Sequence, residues 1–302
     1  MASPENEKLI KILWKNHPGE SSYEAMKDNV DKMRENMVEM TKRFVPADDS
    51  QIERVDADGV PGEFVRAAGT GLEPVVLYLH GGGYVIGSTA THRGLVDRLS
   101  RACGGRILSL DYRLAPENPF PAALEDATTA YRWLLKQGIP SEKIVISGDS
   151  AGGGLALATL AALRDAGDPL PACAVPISPW TDLNGTGASI ETRKELDPMV
   201  EIGGLLGMAR LYIGTEDSLN PLASPLHLDP KGFPPLLIQV GDYEILLDDS
   251  TRFAAKAENA GVDVTLEVWP EMVHVWHCFA PMIPEGQAAI ERVGEYIKGI
   301  IN

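Results

Sequence analysis

From residue 75 to the end of the chain, short apolar runs alternate with helical patterns, and this alternation restricts the possible folds more than any other feature. The runs cover 75–79, 107–110, 144–146, 172–177, 236–240 and 262–268, with helical segments near 92–102, 121–136, 151–165, 249–260 and 285–300. Continuous apolar strands are buried on both faces, and parallel neighbours need crossover helices to cover them. The expectation is an α/β fold, with a mostly parallel central sheet and helices on both faces. Two shorter runs, 51–55 and 63–67, are separated by Asp56-Ala57-Asp58-Gly59-Val60-Pro61-Gly62 and read as an edge hairpin. Between Thr181 and Pro235 the alternation stops. A polar loop, a glycine-interrupted helical segment over 199–213 and Asn220-Pro221-Leu222-Ala223-Ser224-Pro225 read mostly as an insertion forming a cap over the strand ends. Residues 5–44 read as two helices broken at Pro18-Gly19, the second carrying Met26, Val30, Met33, Met37, Met40 and Phe44 at spacings of four and three. Such a stripe reads first as a helix packed on its own domain, although flexible methionines also suit an adaptable pocket lid.

A chain of 302 residues accommodates one such domain with an insertion, and its net charge of −16 would repel a nucleic-acid backbone or an anionic bilayer. No nucleic acid and no membrane are expected as partners. The first residues lack the basic and apolar regions of a secretory signal, and no apolar run approaches spanning length, so a cytoplasmic location is expected. Cys103, Cys173 and Cys278 are widely spaced in apolar surroundings, which suits buried free thiols in a reducing compartment. Without a secretory signal, the glycosylation pattern at Asn184-Gly185-Thr186 carries no weight.

The chemistry centres on one turn. The run 144–146 leads into Gly148-Asp149-Ser150-Ala151-Gly152 and then a helix of small residues, the strand–turn–helix context of a nucleophile elbow. Glycine at 148 and 152 leaves room where a Cβ would meet the neighbouring backbone, and the turn lifts the Ser150 hydroxyl above the sheet. His80-Gly81-Gly82-Gly83 directly follows the run 75–79, so its backbone N–H groups, with that of Ala151, can form an oxyanion hole. A phosphate-binding loop would need G-x-x-x-x-G-K-[ST] or G-x-G-x-x-G in register, and neither is present. For a base, Trp269-Pro270-Glu271-Met272-Val273-His274 places His274 in a loop after the last apolar run, with His277 as local competitor. His-x-x-His lacks the glutamate and spacing of a zinc-protease helix, so no metal site is expected. His17, His92 and His227 have no partner motif and read as surface residues. For an acid, four carboxylates follow the run 236–240. Asp248 and Asp249 stand where a helix begins and are explained as cap and dipole partners, leaving Asp242 and Glu244.

Together, His80-Gly81-Gly82-Gly83-Tyr84, Asp111-Tyr112-Arg113-Leu114-Ala115-Pro116-Glu117 with Pro119-Phe120-Pro121-Ala122, Gly148-Asp149-Ser150-Ala151-Gly152-Gly153 and the late acid and histidine resemble the hormone-sensitive-lipase-like branch of the α/β-hydrolase fold, the bacterial family IV esterases. The resemblance runs from about residue 73 to the C-terminus. It implies Ser150 as nucleophile, His274 as base, and Gly82, Gly83 and Ala151 as oxyanion donors. His80, Gly81 and Asp149 support the motif, His80 shaping its loop without doing chemistry and the 112–117 segment tying the loop from beneath. The family usually carries D-P-L-x-D-[DE]-G at the acid. Aligning 246–250 with its latter part puts Glu244 where the catalytic aspartate stands, so Glu244 is favoured over Asp242. The usual H-G-F becomes His274-Val275-Trp276, which keeps the histidine in register and changes the pocket behind it. By the same resemblance, residues 1–45 form a cap arm, 46–183 the first part of the core, 184–217 a cap insertion and 218–302 the rest of the core. The implied activity is a serine carboxylesterase acting without cofactor on short- to medium-chain esters, with pairing of two chains through a sheet edge plausible. The alternatives are a lactone hydrolase for terpenoid-sized lactones using the same residues and a non-catalytic small-molecule receptor. Known receptors that resemble the family have lost the histidine, and this chain keeps it.

Overall fold

The computed structural model describes residues 2–17, 19 and 22–301. In chain order the elements are α1 (Pro4–Lys15), α2 (Tyr23–Lys27), α3 (Val30–Thr41), β1 (Gln51–Asp56), β2 (Pro61–Arg66), β3 (Val75–Leu79), α4 (Thr89–Cys103), β4 (Arg106–Leu110), α5 (Ala122–Lys136), β5 (Ile144–Asp149), α6 (Ala151–Ala166), β6 (Cys173–Ile177), α7 (Ser189–Thr192), α8 (Ile202–Ile213), β7 (Leu236–Gly241), α9 (Leu247–Asn259), β8 (Val264–Trp269) and α10 (Pro284–Ile301). The strands form one eight-stranded sheet in the order β1-β2-β4-β3-β5-β6-β7-β8, antiparallel at the β1–β2–β4 end and parallel from β4 to β8.

The period of two along each central strand divides the interior into two cores. Val75, Leu77 and Leu79 of β3 point into a core shared with Ala127 and Tyr131 of α5, Leu155 of α6 and Phe253 of α9. Val76 and Tyr78, on the opposite face, pack with Leu95 and Leu99 of α4 and Ile290 and Val293 of α10. Burying each large aliphatic side chain contributes roughly 1.5–3 kcal/mol, so a one-residue register slip of β3 would exchange the two faces at prohibitive cost. Because β3, β5, β7 and β8 run in parallel, the segments carrying His80, Ser150, Glu244 and His274 all leave the same edge of the sheet. This is where open α/β sheets bind ligands.

The N-terminal stripe does not lie on one helix. The chain breaks at Asp28-Asn29 between α2 and α3, where the Asn29 amide donates back to the Ala25 carbonyl (2.8 Å) instead of capping α3. Met26 and Val30 are buried, whereas Met40 is 59% exposed and Phe44, beyond the helix, packs edge-on against Phe279 at 5.9 Å. The expected break at Pro18-Gly19 falls partly outside the described residues, since Pro18 is not among them. In the 181–235 stretch α8 begins at Ile202, later than the expected 199. Glu201 fixes that start by accepting the Gly203 (2.7 Å) and Gly204 (2.9 Å) amides. Arg34 of α3 joins the N-terminal helices to the loops that follow β3 and β4. Its guanidinium donates to the carbonyls of Val85 (3.0 Å) and Ala115 (3.0 Å) and pairs with both oxygens of Glu117 at 2.8 Å.

Candidate active site

Ser150 sits between β5 and α6 with φ 55°, a backbone conformation that ordinary residues adopt at a cost of about 1–3 kcal/mol. Its surroundings hold it there: the Ser150 N–H donates to the Ile177 carbonyl (2.9 Å), and its own carbonyl accepts from Trp180 N–H (2.9 Å). A Cβ on Gly152 would come within 1.9 Å of the Leu79 carbonyl oxygen, and one on Gly148 within 2.4 Å of the Gly152 carbonyl oxygen. Glycine at both places is therefore a steric requirement of the turn.

The loop over residues 80–83 is equally constrained. Gly82 (φ 116°) and Gly83 (φ 61°) adopt conformations that favour glycine, and the Gly82 carbonyl closes the turn by accepting from Val85 (3.1 Å) and Ile86 (2.9 Å). His80 is fully buried, stacks on Tyr112 at 4.3 Å and meets the Gly81 carbonyl through Nδ1 (2.7 Å), while the Tyr112 hydroxyl donates to the His80 carbonyl (2.6 Å). Burial, together with the neighbouring His92, lowers its pKa to about 3 and keeps the ring neutral. Asp149, immediately before Ser150, accepts the Gly81 N–H (3.0 Å) and the Tyr78 hydroxyl (2.6 Å). One carboxylate thus ties the elbow to the loop. Ala151 begins α6 and is fully buried.

Of the two carboxylates, Glu244 is the one that faces the imidazole. Glu244 Oε2 lies 2.7 Å from His274 Nδ1, and Oε1 accepts from Gly241 N–H (2.6 Å) and the Ser178 hydroxyl (2.7 Å), so the carboxylate is satisfied without water. Asp242 instead accepts from the Glu271 amide, in the turn before His274. Burial opposes the charged form of His274, but the Glu244 carboxylate overrides it and raises the pKa above the ordinary histidine value. His277 is turned away from the cavity: its Nε2 meets Gln239 Oε1 at 2.7 Å, and burial drives its pKa down to about 3. Asp248 and Asp249 lie in the first turn of α9 but make no cap. Asp249 is buried, its pKa pushed up to about 7 by desolvation, and it accepts the Thr181 (2.7 Å) and Asp182 (2.8 Å) amides, while Asp248 accepts from Ser189 N–H (3.0 Å). Their carboxylates instead anchor the two ends of the 181–189 segment.

Ser150, His274, Gly82 and Gly83 line one cavity of about 410 Å³, within the range of ~300–1,000 Å³ usual for small-molecule sites. Met26, Met33 and Met37 close it from α2 and α3, and Met199, Leu205 and Met208 from the 199–208 stretch. Met208 covers the 80–83 loop so closely that a Cβ on Gly83 would lie 2.0 Å from its Sδ. Two features escaped sequence reasoning. His92 is buried, with Nε2 3.5 Å from Asp149 Oδ2, and lines the cavity; it is not a surface residue. Its spacing from Leu95, Val96 and Leu99 places it on the buried face of α4 and is the signal that could have found it. His227 is exposed and His17 half-buried against Trp14. Asp197 is buried, with its pKa raised to about 6 by desolvation, and accepts the amides of Met199 (2.9 Å), Val200 (3.0 Å) and Ile245 (2.9 Å); no motif marks it. Cys278 is half-buried on the cavity wall, while Cys103 and Cys173 are buried; all three are free thiols.

Residues 76–278 match the model of a family with the α/β-hydrolase fold. The chain is 46% identical over 301 residues to an acetyl-hydrolase of Streptomyces hygroscopicus, an alignment that spans 99% of this chain and 97% of the relative. It is 51% identical to a crystallised esterase/lipase from an uncultured bacterium, with a TM-score of 0.94 over 99% of both chains. It is also 46% identical, with a TM-score of 0.95 over 100% of both chains, to an esterase of the bacterial hormone-sensitive lipase family. The chain belongs to the α/β-hydrolase fold family, and within it to the hormone-sensitive-lipase-like branch. Among the described residues, no helix is long and apolar enough to cross a membrane.

Proposed function

We propose that this protein is a carboxylic ester hydrolase that works through an acyl-enzyme on Ser150. The observation that carries the reading is the buried Glu244–His274 contact of 2.7 Å in the wall of the cavity that Ser150 and the oxyanion glycines also line. In the proposed sequence, His274 Nε2 takes the Ser150 hydroxyl proton as Oγ attacks the ester carbonyl carbon. The carbonyl oxygen becomes an oxyanion, stabilised by the N–H groups of Gly82, Gly83 and Ala151. The tetrahedral species collapses, the carbon–oxygen bond to the alcohol breaks, and His274 returns the proton to the departing alkoxide. Water then attacks the acyl-enzyme with His274 again as base, releasing the carboxylic acid and restoring Ser150. Glu244 orients the imidazole and stabilises its charged form without taking the proton. The small, methionine-rich cavity supports short to medium acyl chains, and α1–α3 with residues 184–217 act as the cap that excludes water. Retention of His274 favours this reading over a receptor. Ser150→Ala should abolish hydrolysis of short p-nitrophenyl esters while leaving the circular-dichroism spectrum and stability unchanged; retained hydrolysis would overturn the proposal.

A further inference from the structure

The buried pair between His92 and Asp149 lies against the oxyanion loop and takes no part in the proton transfers described above. Asp149 performs two tasks: Oδ1 accepts the Gly81 N–H (3.0 Å) and the Tyr78 hydroxyl (2.6 Å), and Oδ2 faces His92 Nε2 at 3.5 Å. The first task fixes the loop whose next two residues are Gly82 and Gly83. It also sets a full negative charge beside the place where the transition state develops negative charge, and in a dry site such a charge opposes the oxyanion. His92 supplies the remedy. Its Nδ1 lies 3.3 Å from the Ser88 carbonyl, which can only accept, and 2.9 Å from the Thr91 hydroxyl, whose proton is already directed to that same carbonyl (2.8 Å). With acceptors opposite both ring nitrogens, the doubly protonated imidazolium is the form that satisfies them.

We infer that His92 is a positioning residue that, as an imidazolium, neutralises Asp149 so that the carboxylate can hold the oxyanion loop without opposing the oxyanion. The inference rests on the esterase reading. The neighbours of His92 restrict which groups can carry charge: Tyr78 faces it from β3 at 6.4 Å and His80 from the following loop at 5.4 Å, while Cys278, His274 and Glu201 line the same cavity. Burial holds Tyr78 and Cys278 in their neutral forms well above their ordinary pKa values, and His80 is neutral. Glu201 caps α8. Asp149 remains the carboxylate that faces His92 directly. Burial opposes ionisation of both partners, but each overcomes it in the other, with Asp149 held at about 2 and His92 raised above the ordinary histidine value.

The test compares wild type, His92→Gln, Asp149→Asn and the double variant on a short p-nitrophenyl ester across pH. Losing one oxyanion donor costs about 10²–10³ in kcat, so a loop held against an uncompensated charge should lose at least about tenfold. His92→Gln is expected to lower kcat by that amount with KM within about twofold, and to remove the alkaline limb that loss of the imidazolium proton gives the wild type. Asparagine at 149 keeps an acceptor for Gly81 N–H without the charge, so the double variant should recover most of the kcat lost in His92→Gln. Unchanged kcat in His92→Gln, an alkaline limb at the same midpoint, or a double variant no faster than His92→Gln would each overturn the inference. Ser150→Ala assayed in parallel separates the two readings: if it is dead and His92→Gln is normal, only the role of His92 falls.

Discussion

Glu244→Gln is the substitution whose outcome the structure fixes most tightly. The side chain is fully buried, so its hydrogen bonds cannot be exchanged with water. Oε1 accepts from Gly241 N–H at 2.6 Å, and a backbone N–H can only donate. The glutamine oxygen must therefore remain on Gly241, which turns the new NH2 group toward His274 Nδ1. A donor there forces the imidazole to carry its proton on Nε2, the tautomer that cannot accept the Ser150 proton. The same substitution of acid by amide in a serine protease costs about 10⁴ in kcat, or about 5 kcal/mol of transition-state stabilisation. The expected result is a fall of 10³–10⁴ in kcat with KM changed little. The residual activity should extend to lower pH, because the Glu244 charge that raises the His274 pKa is gone. Steady-state kinetics on a short p-nitrophenyl ester from pH 5 to 9 measures both, with Asp242→Asn as comparison. A Glu244→Gln enzyme within a few-fold of wild type, or a larger loss in Asp242→Asn, would refute the reasoning.

Gly152→Ala should yield little folded protein, since its Cβ would lie 1.9 Å from the Leu79 carbonyl oxygen; a loss above about 4 kcal/mol is expected by denaturant titration. Gly299→Ala, where a Cβ would meet nothing within 4 Å in α10, should be neutral or stabilising by up to about 1 kcal/mol. Arg34→Ala removes two bonds to carbonyls and the pair with Glu117; it should cost about 1–3 kcal/mol and raise KM severalfold, because α3 presents Met33 and Met37 to the cavity. His277→Gln should reduce the acid sensitivity of the fold. His277 titrates at about 3 when folded and near 6.5 when unfolded, so as pH falls below 6.5 the unfolded chain takes up a proton that the native state refuses. Its contribution to stability therefore shrinks by about 1.4 kcal/mol per pH unit down to about 3, and urea titrations at pH 7 and 5 should show a loss of stability smaller in the variant than in wild type by that slope, His80 contributing equally to both.

Much of this molecule could be read from the sequence because the signals are local. The β/α alternation after residue 75 and the strand–turn–helix around Ser150 each depend on a few consecutive residues, and the structure reproduces them within a few residues at their ends. The residues by themselves left Asp242 and Glu244 open as acid, and only the family resemblance favoured Glu244. Asp242 and Glu244 both follow β7, and what separates them is the Gly241 N–H and Ser178 hydroxyl closing on one carboxylate. His92 and Asp197 carry no motif; one is recognised by its position on a buried helical face, the other only by the amides that converge on it. The stripe from Met26 to Phe44 suggested a single helix because spacing does not reveal a break at Asp28-Asn29, where the Asn29 side chain competes with the helix for the Ala25 carbonyl.

The central claim is that the Ser150 hydroxyl is activated by an imidazole within the same cavity. Its most direct measurement is covalent labelling by an organophosphate followed by mass spectrometry of the intact chain and its peptides. The account predicts one phosphoryl group per chain, on Ser150, with labelling slowed by orders of magnitude in His274→Ala. An unlabelled chain, or an adduct on any other residue, would contradict it.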